Sequence, residues 1–269
     1  MTSLDEFSRE QAILAALRST GRAAVAELSA RLGVSAVTVR KDLDALERRS
    51  LLRRVRGGAV GVGASDEGAF EIRLRDSRER KQAIAKAAAQ LVDDGDVLAI
   101  DSSTTTFYLA QEILDRRNLV VVTNGLRLAV LLMEQSSARV LMPGGVLRRS
   151  AGSLVGPIGD ALSTRGRIAK GFFGLVALST THGLMGISSE EASTKQGMAD
   201  SCDQVYGLFD SAKAYGFGLH SFAKPGRVAG LFTDDNVTQD FVNQWKQLGT
   251  SVATVHVDPR SSQSRSPDE

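Results

Sequence analysis

The residues with the most chemical potential form a short polar run, Asp101-Ser102-Ser103-Thr104-Thr105-Thr106, directly after the apolar stretch Val97-Leu98-Ala99-Ile100. Hydroxyls and amides that open a helix after a strand can hold a phosphate or a carboxylate, because the helix N-terminus presents unpaired N–H groups and partial positive charge. Other apolar runs end in the same kind of residue. Residues 119–122 lead into Thr123-Asn124-Gly125, 140–142 into Pro143-Gly144-Gly145, 171–178 into Ala177–Thr181, 205–209 into Asp210-Ser211, and 228–232 into Thr233-Asp234. Taken singly, each loop is an ordinary N-cap or turn. Taken together on one sheet edge, they read as a binding site.

A different chemistry belongs to residues 25–59. Val25, Leu28 and Leu32 recur at helical spacing, Gly33 sits where a sharp turn is needed, and Ser35 is a good N-cap for the next helix. In that helix Val39, Leu43 and Leu46 face inward. Val37, Arg40, Lys41 and Asp44 then point outward, with Thr38 at the edge. This is what a recognition helix requires: Arg or Lys bonds guanine in the major groove, and an apolar group meets the thymine methyl. The following run LLRRVRGGAV reads as a wing. Arg53, Arg54 and Arg56 supply charge for phosphates, and Gly57 and Gly58 are expected to give the positive φ of a tight hairpin. Residues 1–60 hold 11 Lys and Arg against 7 Asp and Glu, in a chain whose net charge is only +2, so the positive excess lies where DNA would be.

Elements must position these groups. From about residue 82 the pattern alternates helix and strand, which implies a largely parallel sheet. A helix carries Ile84, Ala88 and Leu91; others run through Tyr108 to Leu114 and through Leu128, Leu131 and Leu132, and one spans 193–202. The expected fold is α/β: an N-terminal winged helix-turn-helix in residues 1–62, a linker in 63–74 that serves as a hinge, a larger α/β domain in 75–256, and a disordered polar tail in 257–269. Phe70 to Arg80 is charged and is expected to run on into the helix that follows. A hydrophobic content of 42% is that of a globular protein. The single cysteine, Cys202, excludes an internal disulfide and indicates a reducing, cytoplasmic setting. No leader-like apolar segment and no run of 18 apolar residues occurs, which argues against secretion and membrane spanning.

The residues resemble a known family. The N-terminal block is similar to the DeoR family of bacterial transcription regulators in Ser35, Thr38, Val39, Arg40, Lys41, Asp42 and Leu43, followed by Arg56-Gly57-Gly58-Ala59 where the family has His-Gly-Gly-Ala. The C-terminal block resembles the same family's sensor domain, a Rossmann-like fold related to ribose-5-phosphate isomerase. Its matching pieces are Gly95-Asp96, Asp101 with the Ser/Thr loop, Thr123-Asn124, Gly144-Gly145, Phe173-Gly174, Glu191 with Lys195, Asp210-Ser211-Ala212-Lys213, and Thr233-Asp234. Besides Arg56, three positions depart from the family: Ser103 stands where Gly is usual, Gly125 where Ser is usual, and Ala169 where Asp is usual.

The resemblance implies a sequence-specific regulator, a repressor of a carbohydrate operon by family default. Its DNA affinity would be set by a phosphorylated sugar or related metabolite. The implied DNA contacts are Ser35, Val37, Thr38, Arg40, Lys41, Arg53, Arg54, Arg56, Gly57 and Gly58. The implied pocket uses Asp101, Ser103, Thr104, Thr105, Thr123, Asn124, Gly144, Glu191, Lys195, Asp210 and Lys213, with Lys195 and Lys213 as the cations for an anionic ligand. The alternative for Lys195 is an exposed helix face, and for Lys213 a solvated loop. Partners would be duplex operator DNA, the phosphorylated effector, and further copies of the chain as homodimer or homotetramer, since so small a reading head needs a second half-site.

The rival reading is a sugar-phosphate isomerase fused to a DNA-binding domain. That chemistry needs a base and an acid, for which Asp101 and Glu191 are the available carboxylates. The corresponding enzymes carry acids at the position of Leu175 to Thr181, where this chain has LVALSTT, so no catalytic residue is assigned. No metal or cofactor is expected: His182, His220 and His256 are scattered and Cys202, placed in a helix by the pattern, has no partner at ligand spacing.

Overall fold

A computed structural model describes residues 6–20, 22–49, 51–55, 57–61, 70–149, 151–156, 168–216 and 218–257. Arg56, the side chain of Arg53, the linker positions 63–69 and the tail from 258 lie outside the described residues. The chain divides into two compact units, residues 1–69 and 70–269.

The smaller unit runs α1 (Glu6–Thr20), β1 (Arg22–Ala24), α2 (Val25–Leu32), α3 (Ala36–Arg48), β2 (Leu52–Val55), β3 (Gly58–Gly61). Its core is the inward stripe of each helix: Ile13, Leu28, Val39, Leu43 and Leu46 are all buried. Gly33 ends α2 at φ 66°, a left-handed value that favours a residue without Cβ, and its N–H reaches Ser29 O at 3.0 Å. Ser35 caps α3, its hydroxyl accepting from the Thr38 N–H at 3.1 Å. The three strands form one antiparallel sheet in the order β1-β3-β2, which is the wing. The two glycines of the wing differ from expectation. Only Gly57 has positive φ; Gly58 does not, and a Cβ there would lie 2.2 Å from Ala23 O. Gly58 is required because the hairpin closes directly against β1.

The larger unit begins with α4 (Phe70–Arg75), α5 (Arg78–Ala89), β4 (Val97–Ile100), α6 (Thr104–Glu112), β5 (Val120–Val122), α7 (Leu126–Gln135) and β6 (Arg139–Leu141). A hairpin follows, β7 (Val146–Arg148) and β8 (Ser153–Val155), then β9 (Ile168–Gly174), β10 (Ala177–Ser179), β11 (Gly183–Gly186) and α8 (Ser189–Asp200). The chain continues through β12 (Cys202–Leu208), β13 (His220–Ala223), β14 (Val228–Asp234), α9 (Gln239–Gln247) and β15 (Ser251–Val255). Seven strands form a parallel sheet in the order β15-β14-β12-β9-β4-β5-β6. Each face carries its own core. Leu98 and Ile100 of β4 pack with the α5, α6 and α7 residues Ile84, Leu109 and Leu132; Ala99 packs on the other face with Met198 of α8 and Trp245 of α9. Alternation along a strand buried on both sides produces this division.

The order of strands matters for function. From β4 the chain moves outward to β5 and β6, then returns to place β9 on the opposite side of β4. The connections therefore diverge between β4 and β9, and a crevice opens at the carboxyl ends of such a pair.

Four expectations need correction. The run 171–178 is not one strand: β9 ends at Gly174, and β10 belongs to a separate antiparallel sheet of order β10-β11-β13, so residues 177–181 do not end a strand of the main sheet. Residues 70–74, read as linker, are helical; Phe70 is buried and meets Phe107 edge to face at 5.5 Å. They do not run on into α5 either, because Ser77 at φ 50° breaks the helix between them. Cys202 opens β12 rather than closing a helix, and burial pushes its thiol up to about 12.

Candidate functional site

The reading head presents α3. Val37 is 71% exposed, Arg40, Lys41 and Asp44 are exposed, and Thr38 is half-buried. Asp42, on the opposite side, is buried and accepts from the Arg9 guanidinium at 2.8 and 3.1 Å, so its role is to lock α1 onto α3. Arg54 is differently placed from Arg40. Its Nε meets Asp44 at 3.0 Å and its Nη1 donates to Gly58 O at 3.2 Å, while its own N–H reaches Glu47. Arg54 thus braces the wing against α3. Of the other contacts assigned by sequence, Ser35 and Gly57 are exposed at the helix start and wing turn, whereas Gly58 is buried and is not open to DNA.

The larger unit gathers its polar groups at the divergence between β4 and β9. Asp101, directly after β4, is fully buried. One of its oxygens accepts from the Thr106 hydroxyl at 2.7 Å and the Ser103 N–H at 3.2 Å. The other accepts from the Gly174 N–H at 3.0 Å and meets Lys195 Nζ at 2.8 Å. Four donors fill the lone-pair capacity of a carboxylate. Asp101 consequently organises the two loops and is not left open to a ligand. Ser103 caps α6, its hydroxyl accepting from the Thr106 N–H, and Thr104 and Thr105 are buried in the first turn.

Lys195 comes from α8 and is buried, which excludes the exposed-face alternative. Its ammonium lies 2.8 Å from Asp101, 3.1 Å from Gly174 O and 3.3 Å from Glu191, and 5.4 Å from the Phe222 ring centroid. Glu191, one turn earlier, also pairs with Arg148 of β7. Burial by itself raises the pKa of the Glu191 carboxyl; Lys195, Arg148 and Arg73 outweigh it and hold the group below its ordinary value. Three elements distant in sequence are therefore tied by one chain of charge, Asp101–Lys195–Glu191–Arg148.

The other candidates flank this chain. The Thr123 hydroxyl accepts from the Gly125 N–H at 3.0 Å, turning the loop after β5. Asn124 is fully buried and donates from Nδ2 to Leu154 O of β8 at 3.2 Å. Gly144 is exposed and has open space around it; its neighbour Gly145 is the constrained one, at φ 139° with the Val155 carbonyl 2.4 Å from where a Cβ would stand. Asp210 and Lys213 frame a short 3₁₀ turn after β12, with Nζ and carboxylate 3.6 Å apart and the Lys213 side chain 32% exposed. Lys213 is the most open of the three cations Lys195, Arg148 and Lys213.

Two cations were missed by sequence reasoning. Arg148 sits in a three-residue strand too short to show periodicity; the paired glycines 144–145 and Gly152 were its only signal, as hairpin markers. Lys81 of α5 is buried, with its ammonium donating to the carbonyls of Arg73 and of Asp76, the latter at 2.7 Å. Burial, with the positive charge of nearby Lys213, lowers its pKa to about 8, and Asp210 opposes the shift.

The departures at 103 and 125 have a steric meaning. A Cβ on Gly125 would stand 2.9 Å from Ser102 Cα, and a Cβ on Gly174 would stand 2.1 Å from the Ser103 hydroxyl oxygen. Ser103 fills the space above Gly174, and Gly125 makes room for the Ser102 backbone. The loops after β4, β5 and β9 thus fit one another as a set.

Each of the two units matches a known domain family. Residues 9–63 match the DeoR-like helix-turn-helix domain, and residues 76–235 match the DeoR C terminal sensor domain. The chain is 32% identical over 235 residues to the HTH-type transcriptional regulator GlpR of Haloferax volcanii, covering 87% of this chain and 91% of that one. It is 27% identical over 234 residues to the glycerol-3-phosphate regulon repressor of Escherichia coli K12, covering 86% and 92%. Among solved structures, ribose 5-phosphate isomerase A from Methanocaldococcus jannaschii is similar at 14% identity and a TM-score of 0.40, covering 51% of this chain and 55% of that one. A head built to read duplex DNA, followed by a buried ionic site at a sheet switch point, makes this chain a member of the DeoR family of DNA-binding transcriptional regulators.

Proposed function

We propose that this protein is a repressor of carbohydrate-metabolism genes, and that a phosphorylated sugar or related metabolite sets its operator affinity by binding in the larger unit. The supporting observation is the cluster at the β4–β9 divergence, where cations from α5, α8, the β7–β8 hairpin and the turn after β12 surround hydroxyl-bearing loops. The chain Asp101–Lys195–Glu191–Arg148 is neutral in itself, so the charge left over is that of Lys81 and Lys213 against Asp210, and an anion is its natural counterpart. Lys213 is the cation we assign to the phosphate, since Lys195 already serves Asp101, Glu191 and Gly174. The names of relatives, including a glycerol-3-phosphate regulon repressor, point to the same ligand class.

We assign no catalysis. Asp101 and Glu191 are the carboxylates an isomerase would need, and both are engaged by cations, while residues 175–181 offer no acid. In this reading the chain acts in the cytoplasm as a homo-oligomer on paired half-sites. No helix among the described residues is long and apolar enough to cross a membrane.

The test is mobility shift of operator DNA, taken from the promoter beside the protein's own gene, with a panel of sugar phosphates and the matching free sugars. The expected result is that at least one phosphorylated sugar changes operator affinity and raises the melting temperature, and that its unphosphorylated form does neither. A flat response to the whole panel refutes the sensor reading; turnover of a panel member refutes the non-enzymatic one.

A further inference from the structure

The β7–β8 hairpin is fastened to the loop after β5. Leu154 N–H donates to Asn124 O at 2.8 Å, Asn124 Nδ2 donates back to Leu154 O at 3.2 Å, and Leu126 N–H reaches Gly152 O at 2.9 Å. Gly125 bridges Ser153, and Ser153 stands directly opposite Arg148 in the hairpin register. Residues 124, 148 and 153 are therefore neighbours, brought together from a loop and two short strands.

Each of these three carries a buried polar atom without a hydrogen-bond partner: Asn124 Oδ1, Arg148 Nη2 and Ser153 Oγ. Asn124 and Ser153 are fully buried, and the Arg148 side chain is 8% exposed. Buried polar groups are nearly always satisfied, so three orphans on directly paired segments mark a place where a partner belongs. Their chemistry specifies it. Leu154 O only accepts, which fixes Nδ2 toward it and leaves Asn124 Oδ1 as an acceptor that requires a donor. Arg148 Nη2 requires an acceptor, and Ser153 takes either role. A phosphate dianion cannot satisfy Asn124, and an apolar group satisfies none of the three. Nor is Arg148 an open anion site, since Glu191 already neutralises it. A hydroxyl both donates and accepts, and meets all three.

We infer that Asn124, Arg148 and Ser153 form a polyol subsite, which reads hydroxyl groups of the ligand, with the hairpin as its outer wall. This rests on the sensor reading above and divides the site in two: Lys213 on the anionic end, the hairpin on the hydroxylated end. Ligand choice within the family would then be set on the hairpin.

The experiment is calorimetric titration of the full chain with inorganic phosphate, glycerol 3-phosphate, ribose 5-phosphate and glucose 6-phosphate. Ser153→Ala and Arg148→Lys are compared with the parent. The parent is expected to bind at least one polyol phosphate more tightly than inorganic phosphate. Ser153→Ala should weaken that compound about threefold to tenfold, the worth of one hydrogen bond, while inorganic phosphate binding is unchanged. Arg148→Lys keeps a cation for Glu191 but loses the second guanidinium nitrogen, and should shift affinity in the same direction. Because the Ser153 hydroxyl bonds nothing in the protein, Ser153→Ala should leave the melting temperature of the unliganded chain the same or higher. Parental affinity in both variants, with the parent still preferring a polyol phosphate, overturns the subsite and leaves the sensor reading standing. A melting temperature several degrees lower in unliganded Ser153→Ala also overturns it, by giving the serine a structural role. A parent with no preference over inorganic phosphate removes the sensor reading first, and the subsite with it.

Discussion

Lys195→Met is the sharpest perturbation of the ionic chain. The lysine ammonium stands 2.8 Å from a fully buried carboxylate. At an effective dielectric constant of ~20 the attraction at that separation is about 6 kcal/mol, a ceiling that the desolvation of both ions reduces. Removing one partner of a buried pair typically costs ~3–5 kcal/mol, because the remaining charge is stranded. Asp101 keeps its three neutral donors from Ser103, Thr106 and Gly174, and Glu191 keeps Arg148, so the lower end, about 3 kcal/mol, is expected. For a unit of roughly 200 residues this lowers the melting temperature by about 6–12 °C. The single tryptophan, Trp245, is buried in the core of the larger unit, so its fluorescence in urea follows that unit. Combining Lys195→Met with Asp101→Ala gives a double-mutant cycle, in which the double variant should lose clearly less than the sum of the singles. A loss below about 1 kcal/mol for Lys195→Met, or strict additivity, would refute the claim that this pair organises the site.

Three more expectations follow from particular residues. Lys81 has a folded pKa of about 8, below the free value of 10.5, so between those values the folded chain binds fewer protons than the unfolded one and stability must rise with pH, by up to about 3 kcal/mol in all. Urea melts from pH 7.5 to 10 should show that slope in the parent and lose it in Lys81→Met; an unchanged slope in the variant counts against it. Gly125→Ser, which restores the family's usual residue, should destabilise by ~1–3 kcal/mol because its Cβ meets Ser102 Cα at 2.9 Å, and an unchanged melting temperature would show that the loop yields freely. Arg40→Ala should weaken operator binding by about 1–3 kcal/mol with little effect on random DNA, whereas Arg54→Ala, which unbraces the wing, should weaken both; equal losses for Arg40→Ala would demote it to a phosphate contact.

Local pattern carried the helix-turn-helix and its hairpin, though not α1 or β1. The inward stripe, the left-handed Gly33 and the Ser35 cap depend on residues three to five apart, and helix geometry fixes what such spacings mean. The same holds for the strand–helix alternation and for the Ser/Thr run that opens α6. The wing glycines show the limit. Gly57 answers a local φ requirement, but Gly58 answers an approach by β1 that no local pattern contains.

In the larger unit, residue types alone singled out Asp101, and its likeness to the sensor domain added Glu191 and Lys195, but neither could say what each would touch. Periodicity states which face of its own element a side chain occupies, not which strands become neighbours. Only the order β9-β4-β5 brings Gly174, Asp101 and Thr123 to one edge, and only then do Lys195 and Asp101 saturate each other instead of facing a ligand. Arg148 reaches Glu191 across 43 residues, through a hairpin whose strands are three residues each. What the sequence by itself determined was the two-part plan and the identity of its polar edge. Which of those polar groups hold the fold and which face a ligand was decided by tertiary contact, because charge pairing and steric fit act through space between segments that local rules treat as independent.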